Sequence, residues 1–227
     1  MSRYTGKYHK HERRDKKCLP FILIPLSFFL IELFGLGFLL PEGETGRFPL
    51  IFGLLWTGII SGILFLLPAT AARIFYGMTY FLSAVYAGFQ TGYYLLFSEM
   101  LWLSDFRYAE EGSAYADVLL TYPLFWWLGI FAMIAQGVLI LWFFPRWKRT
   151  GLKLAISVMV IAVAVFQMEG LPELLFEEDE KIKYAGSDYG RSQSSQAVYE
   201  NMFNTPRLYR LCGLYHTLAK DIYRDCI

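Results

Sequence analysis

The chain has 227 residues, 56% of them hydrophobic, 19% aromatic and only 18% charged, with a formal net charge of +1. A soluble domain of this size carries about 25% charged residues, so the composition argues against an ordinary water-soluble globule. The small net charge excludes the broad basic field of a nucleic-acid binder, and three cysteines without a CxxC or Cys/His cluster exclude a structural zinc site.

Residues 1–18 form a basic arm with seven lysines and arginines. Beyond it, the sequence predicts five membrane-crossing helices, since about 20 largely apolar residues are needed to cross the hydrocarbon. Leu19–Leu40 is apolar except for Glu32. It is too long for a cleaved signal and no small-x-small site follows before Pro41, so it reads as a retained signal anchor. Phe48–Ala72 and Ile74–Ser98 are uncharged for 25 residues each. The loop Glu99–Tyr122 carries Met100, Leu101, Leu103, Phe106 and Tyr108, which predict a segment lying on the outer surface. Val118–Pro145 is uncharged for 28 residues, with Pro123–Phe144 as its core. Leu154–Met168, at 15 residues, crosses if Thr150–Lys153 join it and Lys153 snorkels to the interface.

Lysine and arginine counts set the expected orientation. The arm, Arg73, and the group Arg146, Lys148, Arg149 and Lys153 place twelve basic residues on one side. The opposite loops hold only Arg47 and Arg107 and are acidic. The N-terminus is therefore expected in the cytoplasm and, after five crossings, residues 170–227 outside. Trp102, Tyr122, Trp126 and Trp127 fit an outer aromatic belt, and Trp142 and Trp147 an inner one. The implied organisation is a cytoplasmic arm (1–18), a five-helix transmembrane domain (19–169) and an extracellular tail (170–227). The fold class is all-α and polytopic.

In the tail, the acidic run Glu177–Glu180 reads as a solvated surface and Ala185–Ala197 as a flexible Gly/Ser-rich linker. A helix is predicted from Asn204 or Thr205 as N-cap, with Pro206 in its first turn. Leu208, Leu211, Cys212, Tyr215, Leu218 and Ile222 form its apolar stripe, and Arg207, Arg210, Lys220 and Arg224 lie opposite. It is too polar to span, so lipid or another domain is expected to cover the stripe. Cys212 and Cys226 on one such helix stand too far apart to bridge.

The intramembrane polar residues that stand out are Glu32, Gln90 and Gln136. A charge at a helix centre costs about 2.5–3.5 kcal/mol on insertion scales, which the sixteen Leu, Ile and Phe residues of Leu19–Leu40 outweigh. Glu32 and Gln90 are placed to pair, and small residues in Ala87–Gly92 permit close helix approach. Packing is favoured over catalysis for all three. No catalytic, cofactor-binding or metal residues are identified: HExxH, Walker A, GxGxxG and Gly-x-Ser-x-Gly patterns are missing, and His216 reads as a surface residue.

Three stretches carry a family resemblance: Phe28-Phe-Leu-Ile-Glu-Leu33, Phe89-Gln-Thr-Gly-Tyr-Tyr-Leu-Leu-Phe97, and Arg210-Leu-Cys-Gly-Leu-Tyr-His-Thr-Leu-Ala-Lys-Asp221. They resemble the membrane region of the lipoteichoic acid synthase family, phosphoglycerol transferases of the sulfatase/alkaline-phosphatase superfamily from Gram-positive bacteria. The resemblance implies a membrane anchor for an extracellular catalytic domain whose strand ending in Glu-Ser, nucleophilic threonine and divalent metal ligands have no counterpart in this sequence. It implies membrane lipids as partners, among them a glycolipid or phosphatidylglycerol, and a separate extracellular domain; no cofactor belongs to this chain. The alternative is a small multi-pass accessory protein or carrier that docks a separate partner.

Overall fold

A computed structural model describes residues 22–38, 47–108, 121–144, 151–183, 195–202 and 204–226. The described elements are helical: α1 (Ile22–Phe38), α2 (Arg47–Leu66), α3 (Ala69–Phe97), a 3₁₀ turn (Leu103–Tyr108), α4 (Leu124–Trp142), α5 (Gly151–Lys183), α6 (Ser195–Asn201) and α7 (Thr205–Cys226). Prolines punctuate them. Pro68 and Pro123 hold extended backbone directly before α3 and α4, where a missing N–H removes nothing from the helix.

Two helices are long and apolar enough to cross a membrane, Phe48–Leu66 in α2 and Leu124–Trp142 in α4, each 19 residues. A third crossing is added if the two parts of α5, Lys153–Met168 and Gly170–Phe176, count as one span across their 43° bend. Pro172 lies inside α5, and a proline there cannot donate to the carbonyl four residues back, a known cause of such kinks. By length and composition, then, the helices supply two or three crossings rather than the five expected. The shortfall has a physical origin in each case. Described α1 covers only 17 residues, because the ends of Leu19–Leu40 lie outside the described residues. α3 is long enough at 29 residues, but its tyrosines, threonines and Gln90 dilute the apolar run.

Glycines let the helices approach. Gly58 and Gly62 of α2 lie against Val160 and Ile161 of α5; a Cβ on Gly62 would stand 2.7 Å from Ile161 Cγ1 and 3.3 Å from the Ser157 carbonyl. This is a small-xxx-small contact. Gly137 of α4 seats the Tyr80 ring of α3, and Gly129 seats Phe34 of α1. The core between α1 and α3 is aromatic, with Phe28 edge-on to Tyr76 at 5.5 Å and to Tyr80 at 5.7 Å.

α7 packs against the middle of α1, the first half of α2 and the second half of α3. Its stripe residues Leu208, Leu211, Cys212 and Tyr215 are buried, and α2 is its principal neighbour. The bundle itself therefore covers the stripe, and Ile222 at its far end stays half-exposed. Other expectations shift with it. Met100 is buried rather than lying on a surface. α5 continues past Met168 through the acidic run. Ser195–Ala197, the end of the expected linker, opens α6, with Ser195 buried. The basic arm and residues 185–194 lie outside the described residues.

Candidate functional site: a helix break held by Glu32

α7 begins as the sequence predicts. Asn204 Oδ1 accepts from the N–H of Arg207 at 3.1 Å, the N-cap arrangement. Inside the helix, Gly213 has φ 77° and ψ −179°, a region open essentially to glycine alone. The backbone breaks there, and Leu214 opens a second helical segment whose first N–H groups have no intrahelical acceptor.

Glu32 supplies it. Its side chain, fully buried, accepts from the N–H of Leu214 at 2.7 Å on Oε1 and from the N–H of Tyr215 at 3.3 Å on Oε2. A carboxyl at a helix N-terminus also meets the positive end of the helix dipole. Two glycines make room. A Cβ on Gly213 would collide with Oε1, and one on Gly53 of α2 would lie 2.8 Å from Glu32 Cγ. The Tyr215 hydroxyl adds a bond to the Phe28 carbonyl at 3.1 Å, one turn before Glu32 on α1.

Gln90 has a different task. Its amide donates to the Leu101 carbonyl at 2.6 Å and accepts from the Leu101 N–H at 3.0 Å. The expected Glu32–Gln90 pair does not form; each side chain bonds backbone groups of another segment instead. Two residues on, the N–H of Leu103 donates to Asp221 of α7 at 2.8 Å. Asp221 is buried and bonded by Arg224 at 2.7 Å, whose guanidinium lies 4.2 Å from the Trp102 ring. The Leu101–Leu103 strip is thus clasped by α3 from one side and by α7 from the other. The Tyr86 and Tyr209 hydroxyls bond to each other, and Arg210 donates to the Tyr94 hydroxyl at 3.1 Å. Gln136 stands apart from the junction, facing the Tyr80 hydroxyl at 3.2 Å on the α3–α4 seam.

His216 is a buried residue, not the surface residue expected. Trp56 Nε1 donates to Nδ1 at 3.3 Å, and the Tyr199 hydroxyl lies 3.0 Å from Nε2. An indole can only donate, so Nδ1 must be bare and the ring neutral, with its proton on Nε2 facing Tyr199. Burial, helped by the charge of Lys220, pushes the His216 pKa down to about 4. Burial also raises the Cys212 thiol well above its usual range and lowers Lys220, whose Nζ donates to the Tyr199 carbonyl at 2.5 Å.

Sequence reasoning found Glu32 and Gln90 but missed Gly213, His216 and Asp221 as members of one assembly. A lone glycine within a helical stripe was the available signal for the break. Among the described residues, no group of three His, Cys, Asp or Glu side chains could hold a metal ion. The arrangement binds a helix end: it fixes α7 against α1, α2 and α3, with Glu32, Gln90 and Asp221 buried at its centre. No family model, curated protein or solved structure matches the chain.

Proposed function

We propose that this chain is the membrane anchor of a lipoteichoic acid synthase-like phosphoglycerol transferase, with the transfer chemistry residing in a catalytic domain outside these residues. One observation carries it. The three stretches that resemble that family, far apart in sequence, meet at one junction: Glu32 of the first binds the Leu214 and Tyr215 amides of the third, and Arg210 of the third donates to the Tyr94 hydroxyl of the second. Chance likeness between apolar segments gives no reason for the resembling residues to be one another's neighbours. In this role α1 and α3 complete a five-crossing domain with its N-terminus cytoplasmic, and α7 is a rigid extracytoplasmic mount.

The experiment is deletion of the gene in its native host, with polyglycerol phosphate in the envelope as readout. Loss of the polymer, restored by the wild-type chain, is expected. Unchanged polymer would overturn the proposal. Protease added to intact cells should cut within 170–227, and protection of that region would refute the orientation.

A further inference from the structure

Tyr199 joins α6 to α7 through two side chains, His216 and Lys220. Its hydroxyl lies 3.0 Å from His216 Nε2, and its ring stacks on the imidazole with centroids 5.7 Å apart. Lys220 sets Nζ 3.4 Å from the centroid of the same ring and donates to the Tyr199 carbonyl. Next to Tyr199, Val198 is fully buried in a cluster with Phe52, Phe176 and Cys212. α6 also helps to line a cleft of about 730 Å³, together with Trp56 of α2 and Met168 of α5. The two residues that engage the His216 nitrogens, Trp56 and Tyr199, both face this cleft.

This packing holds only a neutral imidazole. A second proton must go to the bare nitrogen, Nδ1, which already accepts from the Trp56 indole at 3.3 Å. An indole cannot turn acceptor, so the proton would set two donors face to face. It would also leave the Tyr199 ring between two cations, His216 and Lys220. The other described groups around the ring do not compensate. Cys212 of α7 stays a neutral thiol because burial raises it. Phe52 of α2 and Phe176 of α5 do not titrate. Glu200 of α6 is exposed, acts on Lys220 and accepts from the Gln196 amide at 2.8 Å. A charged His216 therefore needs water, and one element must yield to admit it. α2 and α5 are locked by their glycine seam, and α7 is held by Glu32. The seven residues of α6 are the shortest described α-helix around the ring. We infer that α6 is a proton-sensitive lid: protonation of His216 breaks its bond to Trp56, frees Tyr199 and lifts α6 off α7, opening the cleft. The inference stands whether or not the chain anchors a phosphoglycerol transferase.

The test is hydrogen exchange read by mass spectrometry on the full chain in lipid nanodiscs, at pH 7.5 and at pH 5. Each rate is divided by the intrinsic rate at its pH. Opening returns His216 from a pKa of about 4 to its ordinary 6.5, so the open population of α6 should rise about 30-fold over that interval. Protection of peptides within 195–202 should fall by that factor, while Leu124–Trp142 and residues 214–221 keep theirs. His216→Gln, which cannot take up the proton, should flatten the response. Trp56→Phe removes the donor that blocks Nδ1 and should make the response shallower, a second arm if the glutamine variant fails to fold. Protection of α6 that ignores pH, an equal loss in 214–221, or a full response in either variant would overturn the inference.

Discussion

Replacing Glu32 by leucine should improve insertion of the first helix and at the same time release the second half of α7. The two effects separate because they act on different equilibria. Leucine for a central acid lowers the insertion cost by about 3–4 kcal/mol on translocon scales, but every inserted state shares that gain, so it cancels when α7 docks. What remains is the loss of both acceptors for the Leu214 and Tyr215 N–H groups. Each buried donor left unsatisfied costs about 1–3 kcal/mol, giving about 2–6 kcal/mol for the junction. The chain carries its own probe. Cys212, one residue before the break, is a free and fully buried cysteine. With Cys18→Ser and Cys226→Ser as background, maleimide can reach a thiol only when α7 opens. At about 1.4 kcal/mol per decade, Glu32→Leu should speed labelling between roughly 30-fold and 10⁴-fold. Glu32→Gln, which keeps one acceptor oxygen but turns an amide donor toward the other N–H, should fall between. Folded yield should drop more than any direct chemistry changes. Labelling of Cys212 at the wild-type rate in the leucine variant would refute the capping role.

Gly213→Ala should destabilise by at least about 1–3 kcal/mol from its backbone conformation alone, with the collision against Glu32 added. Combined with Glu32→Leu its effect should be less than additive in thermal unfolding in detergent, since both act on one junction. His216 should make stability pH-dependent in a defined direction. Its folded pKa, about 4, lies below the ordinary value of 6.5, so the unfolded chain binds the extra proton and stability falls as pH drops from about 6.5 to 4. The loss is about 3 kcal/mol, and His216→Gln should abolish that slope in a melting-temperature series. Gly62→Val should separate α2 from α5 and cost about 1–3 kcal/mol by overpacking. Gly37→Val, where an added Cβ meets nothing within 4 Å, should leave melting nearly unchanged.

The helices were legible where one solvent decides them. α2 and α4 are uncharged apolar runs bounded by charge or proline, and hydrocarbon demands nothing more. α3 was legible as a helix but not as a polar seam: Tyr76, Tyr80 and Tyr86 bond Ser27, Met133 and Tyr209 across helix contacts, partners that no linear spacing names. The α2–α5 seam is visible in the sequence as Gly58-x-x-x-Gly62, a spacing that suits close helix approach. Glu32 and Gln90 were recognisable as misplaced polar groups, but their partners are backbone amides and carbonyls, which every residue carries and no sequence advertises. Gly213 offers a signal, a lone glycine inside a helical stripe, but not the partner that holds the break, which stands far away in sequence on α1. His216 reads as exposed because it stands outside the apolar stripe of an amphipathic helix, yet Trp56 and Tyr199 close over it from other helices.

A break inside a buried helix leaves backbone groups out of reach of water, so it survives only where other parts of the protein supply the partners. Here the supplier is the first helix and the consumer is the last, 182 residues later in sequence. That separation has a consequence for assembly. α7 cannot settle until α1, which brings Glu32 and the Phe28 carbonyl, lies beside α2, which brings Gly53 and Trp56, and α3, which brings Tyr86 and Tyr94. The contacts are spread over three helices, so misplacing α1 or α3 leaves a buried N–H or hydroxyl without its bond. The junction thereby makes docking of α7 conditional on a correctly assembled bundle. An acid serves that purpose better than serine or asparagine, because one carboxyl reaching across from a neighbouring helix offers two acceptors to two consecutive amides.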